Sequence, residues 1–359
     1  MAKRQEKKQE KKTKEDRKVV TIRIPPLNLK NQKIWIGLLL VLLAVSLFLN
    51  FRGGFGGKGG KVSLSGLVYM CPPSNCDTTD VEKWSSNLGY GVTSYEASWA
   101  RSPIGLIFEG KSVEIVDVSS ESNFYSTVCE SLDNKKACEI TQEAQKKQAE
   151  QSCESLKKVE KPQLEAFVVS YCPYGLQMQR VLVPVHQLLG GVADIKVRYI
   201  GSIVNGKVTA MHGDQEAQEN LKQICIREEQ PDKYWDYISC FMKAQGRSET
   251  CSDEVKLDKK KLESCMSDPE KGLKYAKADF DASDKYGVSG SPTLVLNGER
   301  VSEYNFGGRS AEAVKTLICC GMKTQAKECQ TKLSTEQANV AFAESYSSSG
   351  GSTGSGAQC

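Results

Sequence analysis

Cys172-Pro173-Tyr174-Gly175 is the stretch of this 359-residue chain whose residue types and order could most plainly do chemistry. A thiolate attacks disulfide bonds, whereas a free thiol, with a pKa of about 8.5, is mostly protonated at neutral pH. The residues ahead of the cysteine, AFVVSY, form a short apolar, β-branched run that reads as a buried strand. The residues behind it, LQMQRVLVPVHQLLGG, repeat apolar positions at near-helical spacing, with Pro184 as a kink and Gly190-Gly191 as the stop. Cys172 therefore falls where a strand hands over to a helix. Unpaired N–H groups and the macrodipole there favour the anion and lower the thiol's pKa. Pro173 suits the first helical turn, where its missing N–H costs nothing. The competing reading is a buried structural thiol.

The neighbouring segments supply the rest of a scaffold. Asp194–Ile200 alternates as a strand should, and Gly290-Ser291-Pro292-Thr293-Leu294-Val295-Leu296-Asn297-Gly298 reads as a turn, a strand and a hairpin corner. Val301 opens another strand, and a last helix over Ser310–Ile318 begins with Ser and Glu. Between the two halves, helices are expected over Glu216–Glu228, Lys233–Ala244, Lys256–Met266 and Gly272–Tyr286. This stretch holds Cys225, Cys240, Cys251 and Cys265, which allow three pairings. Their spacing contains no C-x-x-C knuckle and the chain has 2 His, so structural disulfides are expected and a zinc site is not. His186 falls on the first helix and reads as core or surface.

This order resembles the thioredoxin fold in its DsbA-like form, which carries a helical insertion. It also resembles the gamma-interferon-inducible lysosomal thiol reductases, whose C-Q-H-G-x-x-E-C-x-x-N-x-x-x-x-C motif is matched by His212-Gly213, Glu216, Asn220 and Cys225, with Met211 before them. Two motif cysteines are replaced, one of them by Ala217. The resemblance spans about 170 residues and implies an α/β fold, Cys172 as catalytic nucleophile and no dissociable cofactor or metal. It implies a substrate groove shaped by Ser291, Pro292 and Pro173 and lined by Tyr171 and Tyr174, with His212 as a motif residue. The family's second active-site cysteine is Gly175 here. A lone cysteine must await another thiol. Reshuffling, reduction helped by an outside thiol, and resolution by a distant cysteine such as Cys225 stay open.

A second copy of the same order precedes it. Val62–Met70 reads as a strand running into Cys71-Pro72-Pro73-Ser74-Asn75-Cys76, followed by a helix over Asp77–Asn87 and a strand over Val92–Tyr95. Ser102-Pro103-Ile104-Gly105-Leu106-Ile107-Phe108-Glu109-Gly110 parallels the stretch from Ser291, and a strand over Val113–Val116 and a helix over Ser120–Ser131 complete a smaller thioredoxin-like module. Four residues separate Cys71 from Cys76, so they read either as a second redox centre or as a small structural disulfide. Cys129 and Cys138 could pair likewise.

Ahead of both modules, Ile34–Phe51 is an uncharged apolar run of 18 residues, about 27 Å as a helix and enough for a bilayer core. Residues 1–33 hold 12 Lys/Arg against 4 Asp/Glu, predicting a cytoplasmic amino terminus with the rest outside; a cleaved signal is the rival. The remainder then carries 36 basic against 40 acidic residues, and the whole chain a net +4, too balanced for a nucleic-acid binder. An extracytoplasmic position suits 14 cysteines. The expected domains are a basic tail 1–33, a transmembrane helix 34–51, a Gly-rich linker 52–61, a small module 62–135, a helical connector 136–162, a DsbA-like domain 163–335 with its insertion 201–286, and a Ser/Gly-rich flexible tail 336–359 ending in Cys359. Cys319 and Cys320, with Cys329 near, are expected to staple the last helix.

The function expected is a membrane-anchored thiol–disulfide oxidoreductase or isomerase. Its partners would be thiol- or disulfide-bearing exported proteins, an external thiol or redox partner, and membrane lipid through 34–51. The alternative is a non-catalytic thioredoxin-fold binding or tethering module.

Overall fold

The computed structural model describes residues 22–23, 65–109 and 112–347; the expected transmembrane run and the Gly-rich linker lie outside the described residues. Among the described residues no helix is long and apolar enough to cross a membrane. The chain divides into two compact units, Met1–Ala144 and Gln145–Cys359.

In the first unit, a two-residue strand β1 (Ile22–Arg23) is followed by β2 (Ser65–Cys71), α1 (Thr79–Leu88), β3 (Gly91–Glu96), β4 (Ile104–Glu109), β5 (Ser112–Val116) and α2 (Glu121–Leu132). The sheet order is β1-β3-β2-β4-β5. β2 is central, parallel to β3 (Leu67 opposite Val92) and antiparallel to β4 (Leu67 opposite Ile107). Leu67, Tyr69, Trp84, Ile107, Phe124 and Val128 make its core. α2 is capped by Ser120, whose Oγ accepts from the Asn123 N–H at 3.2 Å. Cys71 bonds Cys76, and Cys129 bonds Cys138. α1 begins at Thr79, so neither Cys71 nor Cys76 stands at a helix start as Cys172 does. The two prolines after Cys71 cannot donate, and the chain makes a turn there, with Asn75 N–H on the Pro72 carbonyl at 2.9 Å.

α3 (Lys135–Ser155) leads from this unit into the second, which holds β6 (Gln163–Val168), α4 (Pro173–Leu189), β7 (Asp194–Tyr199), β8 (Ser202–Val204), β9 (Lys207–Thr209), α5 (Asp214–Glu229), α6 (Pro231–Lys243), α7 (Ser248–Glu254), α8 (Lys259–Ser267), α9 (Lys274–Lys285), β10 (Thr293–Leu296), β11 (Glu299–Val301) and α10 (Ala311–Cys320). Its main sheet runs β11-β10-β6-β7, the order and sense of β5-β4-β2-β3, so the topology of the core repeats. Leu164, Ala166, Phe167 and Val168 of β6 are fully buried. Burying each large apolar side chain contributes about 1.5–3 kcal/mol, which is why this run forms the central strand. α4 runs through Pro184 to Gly190, whose N–H bonds the His186 carbonyl at 2.8 Å.

The insertion is less purely helical than its sequence suggested. β8 and β9 form a hairpin through Asn205-Gly206, both at positive φ, as a two-residue primed turn requires. α7 was not anticipated either. The insertion's cysteines are paired as Cys225–Cys265 and Cys240–Cys251, while Cys153–Cys320 and Cys319–Cys329 hold the end of α10. Cys225 therefore corrects one expectation: its sulfur is locked to α8 in the core and is not a resolving thiol. A second correction concerns the tail. Residues 336–347, expected to be flexible, pack against the body of the unit, and Ala338 is buried.

At the centre of the second unit lies a buried ion cluster. The Asp279 carboxylate is 0% exposed and accepts from Arg227 at 2.8 and 3.0 Å, from Arg198 at 2.9 Å and from the Tyr199 N–H at 3.0 Å. It joins α9 to α5 and β7. Burial alone would lower the Arg227 pKa; the charge and hydrogen bonds of Asp279 more than offset this and raise it.

Candidate functional site

Cys172 is the N-cap of α4, in extended backbone conformation, with Pro173 in the first helical turn. Its Sγ lies 3.4 Å from the Gly175 nitrogen, whose N–H points to it, and 3.4 Å from the Ser291 carbonyl oxygen. The first contact is the helix-start effect in atomic form, an unpaired N–H aimed at sulfur. The second follows from sheet register. Thr293 sits opposite Phe167, so the two residues before β10 reach the end of β6. The Ser291–Pro292 peptide is cis, and the Ser291 Oγ accepts from the Val169 N–H at 3.1 Å.

Tyr171 and Tyr174 flank the cysteine. The Tyr171 ring meets Phe241 and Phe342 edge-on, and its hydroxyl accepts from Gln215 at 3.1 Å; burial pushes its pKa up. The Tyr174 ring lies under the Arg309 guanidinium, 5.3 Å from its centroid. Cys172, Pro173, Tyr171, Tyr174, Ser291 and Pro292 are thus brought together. Cys71 and Cys76 are bonded to each other in the other unit. Cys172 departs from expectation in one respect: it is disulfide-bonded and 0% exposed, not a free surface thiol.

Gly175 is more than a missing cysteine. A Cβ built there would meet the Ser291 Oγ at 2.6 Å and the Val169 carbonyl at 2.9 Å. The neighbouring groups have closed into the space a second side chain would need. Gly175→Cys is therefore expected to destabilise the protein by about 1–3 kcal/mol in thermal or denaturant unfolding. A stability equal to or above the parent's would show that the loop yields freely.

His212 sits in the turn before α5. Its Nδ1 is 2.9 Å from the Glu216 Oε1, and its N–H bonds Oε2 at 2.9 Å. Glu216 is 1% exposed and also accepts from the Tyr171 N–H at 3.1 Å, while the Asn220 Oδ1 accepts from the Ser170 N–H at 2.9 Å. Glu216 and Asn220 tie the backbone ahead of Cys172 to the insertion. The motif spacing is the sequence signal for both residues, though it does not show their role beside Cys172. Gln177, which donates to the Ala338 carbonyl at 2.7 Å, Arg180, which donates to the Ala341 carbonyl at 2.9 Å, and Arg309 over Tyr174 carry no such signal.

Beside Tyr171 opens a cleft of about 670 Å³, lined also by Gln215, Glu219, Lys222 and Ser248. Glu219 accepts from Tyr237 at 2.8 Å, Ser248 at 2.7 Å and Gln223 at 2.6 Å, yet burial pushes its carboxyl pKa up. A raised folded pKa means the native state holds the proton more tightly. That contribution to stability is full below the unfolded pKa and is lost as pH rises through the folded one. Denaturant unfolding of Glu219→Gln across pH 4 to 8 should fall less with rising pH than the parent; parallel profiles would refute the assignment.

Part of the chain is similar to known proteins. Residues 163–268 match the family model for gamma interferon inducible lysosomal thiol reductase (GILT). The GILT segment takes in Cys172 and the His212, Glu216, Asn220 and Cys225 motif, and stops before Pro292. The resemblance expected from those residues is borne out. The chain is also 31% identical over 125 residues to vacuolar-sorting receptor 3 of Arabidopsis thaliana, covering 29% of this chain and 19% of the receptor, so it spans about a fifth of that relative's length. Among solved structures, the oxidoreductase NmDsbA1 of N. meningitidis (12% identity, TM-score 0.33, 45% of this chain and 83% of that one) and Pseudomonas aeruginosa DsbA (16%, 0.34, 45% and 84%) are similar. The chain has a mixed α/β, thioredoxin-like fold, and its residues 163–268 resemble a thiol reductase family.

Proposed function

We propose that this chain is a membrane-anchored thiol–disulfide oxidoreductase or isomerase that acts on exported proteins through Cys172. The carrying observation is the Sγ at the start of α4, with the Gly175 N–H aimed at it and the Ser291–Pro292 peptide facing it. In this reading Cys172 is the nucleophile, Gly175 N–H and the helix dipole favour its anion, and Pro292 with Tyr171 and Tyr174 shapes the groove for a substrate strand. Glu216 and Asn220 hold the loop ahead of the sulfur. His212, through Glu216, is a positioning residue.

Anchoring rests on the apolar run Ile34–Phe51 after a basic segment, and an extracytoplasmic site on six disulfides among the described residues. Cys71–Cys76 is proposed as a second, lesser redox centre. The burial of Cys172 favours a second reading, a scaffold that binds partners with closed cysteines.

Alkylation decides between them. After mild reduction that leaves the circular dichroism spectrum unchanged, iodoacetamide labelling of Cys172 is followed by mass spectrometry against pH. The expected midpoint lies below the free-thiol value of about 8.5. A midpoint at or above it overturns the catalytic reading and leaves the scaffold.

A further inference from the structure

We infer that residues 338–343 stand in for a substrate peptide: they fill a peptide-binding groove along the start of α4, in which Arg180 and the Pro173 carbonyl hold the backbone and a notch between Tyr171 and Phe241 takes an aromatic side chain. The inference rests on the proposed function only in assigning that groove to Cys172; the groove itself is argued from the contacts of this segment.

The segment enters beside Arg309, whose carbonyl accepts from the Ala338 N–H at 2.9 Å. Gln177 of α4 donates to the Ala338 carbonyl at 2.7 Å, and the Ala341 N–H bonds the carbonyl of Pro173, the residue after Cys172, at 2.9 Å. The Arg180 guanidinium binds the carbonyls of Asn339, of Ala341 at 2.9 Å and of Ala343 at 3.4 Å. Phe342 sets its ring edge-on against Tyr171, the residue before Cys172, at 5.9 Å between centroids, and against Phe241 at 5.5 Å. The path thus follows the first turns of α4 and touches both chain neighbours of Cys172.

The backbone contacts are of a kind that any peptide can make. Every residue offers the carbonyl that Arg180 binds and, proline apart, the N–H that the Pro173 carbonyl takes. Buried guanidinium groups are normally paired with an acid. Arg180 is buried, yet among the described residues its hydrogen-bond partners are main-chain oxygens. Burial lowers its pKa to about 10, which leaves it charged at neutral pH.

The notch supplies selectivity. A Cβ at Gly246 would meet the Phe342 Cζ at 3.0 Å and the Tyr171 Cε1 at 3.3 Å, so the missing side chain there leaves an aromatic ring its room. Gly246 and Tyr171 also stand in the wall of the cleft of about 670 Å³, where a ligand longer than this segment can continue. The present occupant is strained. Ala341 has a φ of 61°, a left-handed conformation that a residue with a Cβ adopts only under constraint. A segment strained at the residue that bonds Pro173 is more easily displaced than a relaxed one. A substrate polypeptide with an aromatic residue near its cysteine then competes with residues 338–343 for the same contacts.

A fluorescein-labelled peptide with the sequence Glu336–Tyr346 tests the groove by fluorescence anisotropy against the full chain. Ala341→Pro/Phe342→Ala removes the self-contacts, because proline has no N–H for the Pro173 carbonyl and cannot take a φ of 61°. This double variant is expected to bind the peptide at least about tenfold tighter than the parent, whose own segment competes at roughly millimolar effective concentration. A peptide with Phe342→Ala should bind the double variant at least about tenfold more weakly than the natural sequence, the smaller end of what burying a large apolar side chain contributes. Equal affinity of the two chains, binding to neither, or equal affinity of the two peptides overturns the inference. Should the double variant lose its folded circular dichroism spectrum, amide hydrogen exchange of the parent decides. Residues 338–343 are expected to exchange at least about tenfold faster than β6, through local opening; protection equal to that of β6 means that they cannot be displaced and overturns the inference. Peptide binding together with an unshifted Cys172 midpoint removes only the catalytic reading and leaves the groove. An activated midpoint without peptide binding removes only this inference.

Discussion

Cys172→Ser reduces thiol–disulfide exchange by this chain to background while leaving the fold intact. The two halves of that expectation have separate causes. Serine is a preferred N-cap, and its Oγ can accept from the Gly175 N–H that now points at sulfur, so α4 keeps its start. The chemistry does not survive, because a hydroxyl at neutral pH offers no thiolate and cannot enter a mixed disulfide. Turnover of a disulfide-bonded protein with dithiothreitol as reductant measures the first half, and the thermal midpoint the second. Cys172→Ala should show the same loss of activity with an added stability cost of about 1 kcal/mol from the missing cap. Retention of the parental rate in Cys172→Ser would remove Cys172 from the mechanism. If that rate then vanished in Cys71→Ser, the redox centre would lie in the first unit.

Asp279→Ala should be the most destabilising single change outside the cysteines, by about 3–5 kcal/mol. The carboxylate is 0% exposed and takes four hydrogen bonds, three from guanidinium groups and one from the Tyr199 N–H of β7. Removing it takes one of two carboxylate partners from Arg227, whose side chain is 9% exposed and which keeps Glu228, and one of two from Arg198, which keeps Glu165. Two positive groups are then left close together with little water. For a unit of this size such a loss lowers the melting temperature by roughly 6–20 °C. Circular dichroism melts give the readout. A shift under about 2 °C would mean that Arg198 and Arg227 are solvated once Asp279 is gone, and that the cluster is not what joins α9 to the sheet.

The strand, cysteine and helix around position 172 were legible because each signal is local. β6 is a continuous apolar run, α4 repeats its apolar residues at helical spacing, and Pro173 marks the junction. The same holds for the repeat of this order in the first unit, down to the Ser-Pro ahead of β4 and β10. The hairpin β8–β9 is equally local in its Asn205-Gly206 turn, but the helical pattern on either side of it is the stronger signal. Glu216 and Asn220 were visible as a motif, but their task of holding the Ser170 and Tyr171 backbone depends on where α5 packs.

Local residue patterns sufficed for the order of the core strands and helices of both units and for the residue types at the reactive junction, but not for β8, β9 and α7 of the insertion. Which sulfurs pair, and which residues lie against the start of α4, follow from the packing of distant segments. Pairing depends on distances between residues as far apart as Cys153 and Cys320, which no local period encodes. Residues 339–343 are held largely through the backbone carbonyls of Asn339, Ala341 and Ala343 on Arg180. Every residue carries such an oxygen, so the contact leaves no side-chain pattern to read, and it came into view only when the folded chain brought residue 341 beside residue 173.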